Sequence, residues 1–346
     1  MTFLDDGETC SHIDILPDEL LINIFKLLPL DSVLVCEDVC SRWKKLARDA
    51  VVWRHIILPY SGKPGQSEVS EKNLGIIESH GECIRCLKIQ YVYMYPVIKS
   101  ILRQCHHLIS LELVMCRISK EFEDDVAKWP DLKRLSLKNS LQLVSNIDLI
   151  IPYGQFKHLN YLALCDFGLP AVTRGSLLGL NYLSHIFIEK IKNLDLEYVQ
   201  NLITSKQAIL KSFHIYGGEA VNDECLHLLS KCVLLRDLAI IRCENLTDAG
   251  LINLVNLKNI EHLQIWNNTI FTEANLQRTL GSPSLVKLKS LSLSRVRNIS
   301  PAIVDIISEY YKNLKFLAVY QCPRIINTDY EKQLKSKIRN IDVVLY

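Results

Sequence analysis

The chain has 346 residues, of which 49% are hydrophobic and 23% charged, a composition typical of a folded protein rather than a disordered one. Its formal net charge of +2 argues against a nucleic-acid partner that is held mainly by phosphate neutralisation. Residues 1–60 carry 6 Lys/Arg and 10 Asp/Glu, whereas residues 283–346 carry 11 and 5. We therefore expect an acidic N-terminal part and a basic C-terminal part.

The N-terminal residues 1–8 are acidic and have neither the basic segment nor the long apolar segment of a signal peptide. No apolar stretch approaches the roughly 18 residues that cross a bilayer. We therefore expect a cytoplasmic protein, with the nucleus as an alternative location and no membrane partner. In either compartment the twelve cysteines would be reduced thiols without structural disulfides.

Residues 13–58 predict a small all-α module of three helices. The first helix begins near Leu16, has Pro17 in its first turn and is ended by Pro29. A second helix is predicted from Ser32 to about Val39, with Asp31 or Ser32 as its cap. The third helix carries apolar residues at helical spacing: Val39, Trp43, Leu46 and Ala47.

The apolar stripe of the first helix is wider than one small core requires. Its six apolar positions are Leu20, Leu21, Ile24, Phe25, Leu27 and Leu28. A module of about 45 residues can bury one side of such a helix internally. The stripe therefore predicts that its remaining apolar side chains contact a partner protein.

Residues 59–83 predict a linker followed by a capping helix. Residues 60–67 are rich in Gly, Ser and Pro and indicate a turn-rich connector. Residues 70–79 predict a helix that covers the exposed end of the next domain.

Residues 84–346 repeat one pattern about eleven times: apolar, two variable residues, apolar, one variable residue, apolar. Neighbouring copies start 24–28 residues apart, at positions 84, 108, 132, 159, 183, 210, 235, 260, 288, 314 and 338. The first half of each unit predicts a short strand with one buried face, and the second half of many units predicts a helix. Stacked units predict a curved α/β solenoid with parallel strands on the concave face and helices outside.

Several units carry a small polar residue three positions after the last apolar residue of the strand: Cys116, Cys243, Asn268 and Cys322. We expect these side chains to bond the backbone of the turn that leaves the strand. Thr247 or Asp248 is expected to cap the helix that follows. The third to sixth units lack the Cys or Asn, which predicts irregular loops there, and Gly217-Gly218 predicts a turn.

Two motif sets together identify a family resemblance. Leu16-Pro-Asp-Glu-Leu-Leu, Ile24-Phe-Lys-Leu-Leu, Val39-Cys-Ser-Arg-Trp-Lys-Lys-Leu-Ala and Trp53-Arg resemble the F-box, and the downstream units resemble cysteine-containing leucine-rich repeats. The chain thus resembles the F-box/leucine-rich-repeat family of substrate receptors.

This resemblance implies that the F-box binds the Skp-type adaptor of a ubiquitin ligase and, through it, cullin and RING subunits. The repeats would hold a target protein for ubiquitin-dependent proteasomal degradation. The residues that map onto the adaptor-facing strip are Leu16, Pro17, Leu20, Ile24, Leu27 and Leu28.

No motif for catalysis or for a cofactor stands out. Cys83-Ile-Arg-Cys86 and Cys105-His106-His107 have residue types suited to zinc, but most of these cysteines fall in repeat register. There is no nucleophile elbow, phosphate-binding loop or dinucleotide-binding glycine pattern. We therefore expect a non-catalytic protein without metal or cofactor.

Strand alternation places variable residues of the repeats on the concave face. Exposed aromatic residues flanked by arginines have the composition of a protein interface. With the basic C-terminal part, they predict a target that is acidic or phosphorylated. The predicted target-binding residues are Tyr216, Ile241, Arg242, Trp266, Arg295, Arg297 and Tyr320.

Two alternatives to a ligase receptor remain open at this point. One is a leucine-rich scaffold or inhibitor whose F-box-like helices serve only packing. The other is an F-box protein that binds the adaptor but acts outside ubiquitination.

Overall fold

The computed structural model describes residues 13, 15–54, 57–61, 71–138, 150–166, 169–191, 194–268 and 270–322, and residues 324, 325, 329, 332, 336, 338 and 341–345. It divides into two compact units, Met1–Leu111 and Glu112–Tyr346. Within these described ranges, no helix combines the length and the apolar character that crossing a membrane requires.

The first unit begins with four short helices, α1 Asp18–Phe25, α2 Leu30–Cys36, α3 Ser41–Ala47 and α4 Ala50–Trp53. The all-α module is thus confirmed, with α4 added to the three predicted helices. Pro29 does not end the first helix, which stops at Phe25; it is the extended residue before α2. Val39 lies outside α3, because this helix starts after Cys40, whose sulfur accepts a hydrogen bond from the Trp43 N–H at 3.4 Å.

The same unit continues with β1 Ile57–Ser61, α5 Glu71–His80, β2 Cys86–Gln90 and α6 Tyr95–Gln104. Helix α5 confirms the helix predicted at 70–79. Strand β1 pairs in parallel with β2 and was not predicted. Residues 62–67 of the predicted connector lie outside the described residues. The domain limits 13–58, 59–83 and 84–346 stay a prediction.

Strand β3, Ser110–Val114, crosses the division into the second unit, which alternates strands and helices. Its other strands are β4 Arg134–Lys138, β5 Tyr161–Cys165, β6 His185–Glu189, β7 Ser212–Asn222, β8 Asp237–Asn245, β9 His262–Trp266, β10 Ser290–Ser294, β11 Phe316–Tyr320 and β12 Asp342–Leu345. Its α-helices are α7 Phe122–Val126, α8 Ala171–Leu178, α9 Leu196–Lys206, α10 Asp223–Ser230, α11 Asp248–Leu251, α12 Glu273–Leu280 and α13 Pro301–Tyr310. Short 3₁₀ helices lie at Tyr153–Gln155, Ile252–Asn256 and Pro283–Leu285.

The strands of the second unit form one parallel ladder. Pairs run in chain order from β4 to β12. A strand therefore follows each of the eleven predicted repeat starts, and the solenoid of leucine-rich-repeat type is confirmed.

The apolar residues of the repeat pattern form the core. In β9, for example, Leu263 and Ile265 are buried whereas the residues between and beside them are not. Burying one such side chain contributes about 1.5–3 kcal/mol. The alternate strand residues project from the other side of the sheet, which we call the open face.

The four predicted turn residues bond the backbone as expected. Cys116 Sγ donates to the Val114 carbonyl at 3.4 Å, and Cys243 and Cys322 make the equivalent contacts to Ile241 and Tyr320. Asn268 Nδ2 donates to the Trp266 carbonyl at 3.1 Å. Asn268 Oδ1 also accepts from the Cys243 N–H at 3.0 Å, so this side chain links two neighbouring units.

A second recurring feature is a left-handed residue, which directly follows a strand in seven units and lies inside β8 at Arg242. In the described part of the chain, eight residues other than glycine have positive φ, between 48° and 64°: Tyr91, Met115, Asp166, Lys190, Arg242, Asn267, Arg295 and Gln321. This left-handed conformation costs about 1–2 kcal/mol in a residue with a side chain. The cost is offset because the turn lets an N–H reach the next strand, as when the Arg295 N–H donates to the Tyr320 carbonyl at 2.8 Å.

The sixth unit is irregular, as the missing Cys or Asn predicted. Strand β7 extends through Gly217 and Gly218 to Asn222 and carries a register shift against β8, so the glycines do not simply form a turn after a strand. A Cβ on Gly217 would lie 2.4 Å from Val221 Cγ2 and 3.0 Å from Cys243 Sγ. Glycine is therefore required for this close approach.

Hydrogen bonds between Asp and Thr residues join the starts of successive helices, and we call this set of bonds the Asp–Thr relay. Thr247 is the N-cap of α11, since its Oγ1 accepts from the Ala249 N–H at 3.2 Å. Asp248 does not cap α11; its carboxylate accepts from the N–H and the hydroxyl of Thr272 in the next unit, at 2.9 and 2.7 Å. Asp223 binds the same two groups of Thr247. The relay therefore couples three consecutive units through side chains.

Candidate functional site

Helix α1 presents an apolar strip to solvent beside its buried side. Leu21 and Phe25 are fully buried, whereas Leu20 is 49% exposed and Ile24 39% exposed. Leu27, in the turn after the helix, is 85% exposed. Of the other predicted adaptor-binding residues, Pro17 is exposed and Leu16 and Leu28 are partly buried. The structure thus divides the wide apolar stripe into a core side and an uncovered side.

Contacts from α3 hold α1 in place. Arg42 donates from Nε to Asp18 Oδ1 at 2.9 Å and from Nη2 to the Leu16 carbonyl at 2.5 Å. The Phe25 and Trp43 rings meet edge to face, with centroids 5.1 Å apart. These contacts fix the start and the buried side of α1, so the exposed strip has a defined orientation.

The sequence analysis missed part of this exposed apolar surface. Ile15, Val35 and Val39 are also exposed. The sequence predicts Val39 at helical spacing on the third helix, but this helix begins after it. The signal that could have identified it is the helix-capping position of Cys40, which leaves Val39 in a turn.

A largely buried carboxylate ties the first helices to α5. Glu37 Oε2 accepts from Arg48 Nε at 2.8 Å, and Glu37 Oε1 lies 2.6 Å from His80 Nε2. The His80 ring stacks on Trp53 at 5.0 Å. Trp53 Nε1 in turn donates to the Ala47 carbonyl at 2.9 Å. The four-helix module and α5 therefore share one polar and aromatic centre within the first unit.

On the open face of the second unit, the structure aligns the first three predicted target-binding residues. Tyr216 pairs in register with Ile241, and Ile241 with Trp266. Adjacent strands lie about 4.8 Å apart, so the three side chains are direct neighbours. All three are partly buried, and Tyr320, which is exposed, follows two strands later beyond Ser294.

Arg242 belongs to the same group. Its Nη1 donates to Tyr216 Oη at 2.8 Å, and its guanidinium lies 5.9 Å from the Tyr216 ring centroid. Its Nε also pairs with Glu244 at 3.2 Å. Arg242 is therefore oriented by two partners, with the Tyr216 hydroxyl and ring fixed beside it.

Arg295 and Arg297 stand apart from this group. Arg295 donates to Gln321 Oε1 in the next unit. Arg297 is exposed, and none of the described residues forms a hydrogen bond or ion pair with it. The structure thus gathers Tyr216, Ile241, Arg242 and Trp266, places Arg295 beside Tyr320, and does not bring Arg297 into either group.

A cavity of about 270 Å³ extends the open-face group toward β4. It is bordered by Tyr216 and Ile241 from the predicted set and by residues that the prediction omitted: Lys138, Cys165, Phe187, Glu189 and His214. The Phe187 ring lies 4.3 Å from His214 and 4.9 Å from Tyr161. This volume is near the lower end of the range for small binding clefts. The cavity can take an apolar or aromatic side chain.

Charged groups surround the aromatic cluster. The Arg134 guanidinium lies 3.8 Å above the Tyr161 ring. His214 Nε2 is 2.8 Å from Asp237 Oδ1, a close contact that lacks the angles of a hydrogen bond. Burial lowers the pKa of His185, which favours a neutral ring at pH 7. The sequence analysis missed Arg134 and Tyr161, which are the first residues of β4 and β5.

The thiols once considered for zinc have other contacts. Cys83 Sγ donates to the Arg48 carbonyl at 3.1 Å and Cys86 Sγ to the Arg54 carbonyl at 3.2 Å. Burial raises the pKa of Cys105 to about 12, while His106 and His107 face Glu82. Across the described ranges, no three potential metal ligands gather at one point.

The comparisons with known proteins agree with the N-terminal module. Residues 13–59 match the family model described as F-box-like. Over 52 residues the chain is 42% identical to F-box/LRR-repeat protein 5 of Salmo salar, covering 15% of this chain and 8% of that protein. Over 50 residues it is 42% identical to F-box/LRR-repeat protein 12 of Homo sapiens, covering 14% and 15%. The matched segment thus spans 8% to 15% of these relatives' length.

Among solved structures, an internalin (inlF) from Listeria monocytogenes aligns with 91% of this chain and 93% of its own. The sequence identity is 17% and the TM-score 0.44. The resemblance to the F-box/leucine-rich-repeat family is confirmed by the F-box-like match together with the parallel repeat ladder.

Proposed function

We propose, from the premise that residues 13–59 form an F-box-like domain, that this chain is a target-binding subunit of a Skp–cullin–RING ubiquitin ligase. The observation that carries the proposal is the exposed apolar strip of Leu20, Ile24 and Leu27 beside the buried Leu21 and Phe25. An apolar strip held rigidly by a small module fits a helical adaptor that covers it on binding.

The second element of the proposal is target binding on the open face of the repeats. Tyr216, Ile241 and Trp266 line up beside a cavity that can accept an apolar or aromatic side chain. Tyr, Trp and Arg are the residues that most often dominate protein interfaces. Arg242, Arg295 and Arg297 at the margin suit an acidic or phosphorylated target segment.

The proposed mechanism is proximity. The receptor holds a target lysine near the ubiquitin-charged enzyme that the other subunits recruit, which raises the effective concentration of the lysine without a catalytic group in this chain. The target would then be degraded by the proteasome. The proposed location is the cytoplasm or the nucleus, because Cys116, Cys243 and Cys322 act as thiol donors in their turns and need the reduced state.

The test is reconstitution of the full chain with a Skp-type adaptor, cullin and RING subunit. We expect co-purification of all four proteins and a longer target half-life when the chain is depleted. If the chain does not bind the adaptor, the result favours the alternative that it is a leucine-rich scaffold or inhibitor. A chain that binds the adaptor but leaves every captured target's half-life and ubiquitination unchanged would act outside ubiquitination.

A further inference from the structure

The loops that lead into β10 and β11 border a second, open cavity of about 670 Å³. Four exposed lysines line it: Lys287, Lys289, Lys312 and Lys315. The cavity lies where the strands begin, whereas the aromatic group of the open face lies where they end. These are two separate surfaces of the second unit.

The register of the ladder brings the lysines together. Lys289 and Lys315 directly precede Ser290 and Phe316, which are paired residues of β10 and β11. The Lys315 N–H donates to the Lys289 carbonyl at 2.8 Å. Like charges on directly neighbouring strands repel each other, so this arrangement is stabilised when an anion lies between them.

Among the described residues, acidic side chains neutralise little of the positive charge of the four lysines. In the part of the chain that the structure describes, Glu261 is the one carboxylate that pairs with these lysines, at 2.6 Å from Lys289 Nζ. Glu261 is shared with Arg236 at 3.6 Å. Lys287 instead donates to the neutral Asn259 Oδ1 at 2.6 Å, and Lys312 to the Ser308 carbonyl at 2.7 Å. These neutral acceptors orient the ammonium groups without neutralising them.

Apolar side chains adjoin the lysines. Val286 lines the same cavity and is exposed. Val233 and Leu234 do not line the cavity but are also exposed. Asn259 connects the two parts, because its Nδ2 donates to the Val233 carbonyl at 2.8 Å while its Oδ1 accepts from Lys287. We call the combined region the edge surface: Val233, Leu234, Val286, Lys287, Lys289, Lys312 and Lys315.

We propose that the edge surface binds an acidic segment of a partner protein, in which carboxylates flank an exposed apolar side chain. The lysines complement the carboxylates, and Val233, Leu234 and Val286 cover the apolar residue. A nucleic acid fits less well, because none of the seven residues that define the edge surface is aromatic and the Glu261 carboxylate lies among its lysines. This site goes beyond the proposed target binding on the open face.

The test measures binding of a fluorescein-labelled dodecapeptide to the full chain by fluorescence anisotropy. The peptide contains Glu and Asp with one central Leu, and its neutral counterpart contains Gln and Asn instead. We expect the acidic peptide to bind at least about tenfold more tightly, and its affinity to fall as ionic strength rises. The double variant Lys287→Glu, Lys315→Glu should weaken this binding at least about tenfold.

Matched controls come from the same kind of position elsewhere in the ladder. Lys133 precedes β4 as Lys289 precedes β10, and Lys157 is likewise exposed. The variant Lys133→Glu, Lys157→Glu should bind the acidic peptide as the native chain does. Circular dichroism checks that each variant is folded. If the Lys287→Glu, Lys315→Glu variant unfolds, the double alanine variant Lys287→Ala, Lys315→Ala is measured in its place.

Three outcomes would overturn the proposal. The first is equal affinity for the acidic and the neutral peptide. The second is an equal loss in the edge-surface and control variants. The third is tighter binding of single-stranded oligouridine or of phosphatidylserine vesicles than of the acidic peptide, which would assign the lysines to nucleic acid or to a membrane surface.

Discussion

The indole Nε1 of Trp266 donates a hydrogen bond of 2.9 Å to Ser292 Oγ on the neighbouring strand. Ser292 pairs with Gln264, so the bond runs diagonally across the open face. It fixes the orientation of the largest side chain in the predicted target-binding group. A pre-oriented aromatic ring loses little conformational entropy on binding, which favours a strong contribution to affinity.

Replacing Trp266 tests this contribution. We expect Trp266→Ala to weaken target binding by about 2 kcal/mol, because a central aromatic anchor is lost. Ser292→Ala should have a smaller effect, since it frees the ring without removing it. Targets captured by proximity labelling are quantified for each variant. Undiminished capture by folded Trp266→Ala, together with undiminished capture by Arg295→Glu, would place the target site elsewhere.

The exposed strip of α1 predicts a separation of binding from folding. Leu20→Asp with Leu27→Asp should abolish adaptor co-purification and leave thermal stability nearly unchanged, because both side chains face solvent. The adjacent Leu21→Ala should instead cost about 2–5 kcal/mol of stability, since Leu21 is fully buried. Full adaptor binding by the double Asp variant would contradict the assignment of the strip.

Removal of the Glu37 carboxylate should destabilise the first unit. Glu37→Ala leaves His80 buried and Arg48 partly buried without their common partner. We expect a loss of about 3 kcal/mol in urea unfolding, because a broken buried pair exposes the desolvation cost of the remaining groups. Asp38→Ala is the control, since Asp38 is exposed. Equal unfolding midpoints for the two variants would show that the centre contributes no stability.

The Asp248–Thr272 contact predicts a pH dependence. Burial opposes ionisation of Asp248, but hydrogen bonds from Thr272 and Asn275 outweigh it and lower the pKa below the ordinary 3.8. The contribution to stability is therefore complete above about pH 4 and is lost as pH falls through the lowered pKa. Asp248→Ala should cost about 1 kcal/mol at pH 6, and this cost should shrink as the pH falls below about 4 through the lowered pKa. A pH-independent difference between variant and native unfolding would contradict this linkage.

Cysteine reactivity should follow burial. Burial raises the pKa of Cys105 and Cys243 to about 12 and that of Cys232 to about 11, so at pH 8 nearly all of these thiols stay protonated. Cys40 is exposed. Iodoacetamide should therefore label Cys40 in the native protein and the other three only in denaturant, as read by peptide mass spectrometry. Early labelling of Cys243 would show that its turn opens readily.

Repeat spacing predicted most of the fold. Ten of the eleven strands begin two residues after the predicted unit start, because the first apolar residue of each unit precedes the strand. Strand β1 could not be found this way. It contains Pro59, which lacks an N–H for a ladder, and its pairing with β2 is a tertiary contact that no local pattern encodes.

The candidate sites were predictable to different degrees. The exposed strip of α1 follows from counting apolar residues against the size of the module. The lysines of the edge surface were counted only in the charge of residues 283–346. Their assembly depends on the spacing of 26 residues between Lys289 and Lys315, which sets them side by side only when β10 and β11 are paired. Aligning the loop residues of successive repeats, as well as their strand residues, could have shown that Lys289 and Lys315 lie side by side.

The left-handed residues after the strands have a consequence for how such an array can change over evolution. In four of them, Met115, Asp166, Asn267 and Arg295, the N–H donates to a carbonyl of the next strand, so the neighbouring unit and not the side chain holds this conformation. The eight left-handed residues include aromatic, thioether, acidic, basic and amide side chains. The side chain at each of these positions can therefore change, and the binding properties of the surface with it. The repeat fold that carries these residues stays the same.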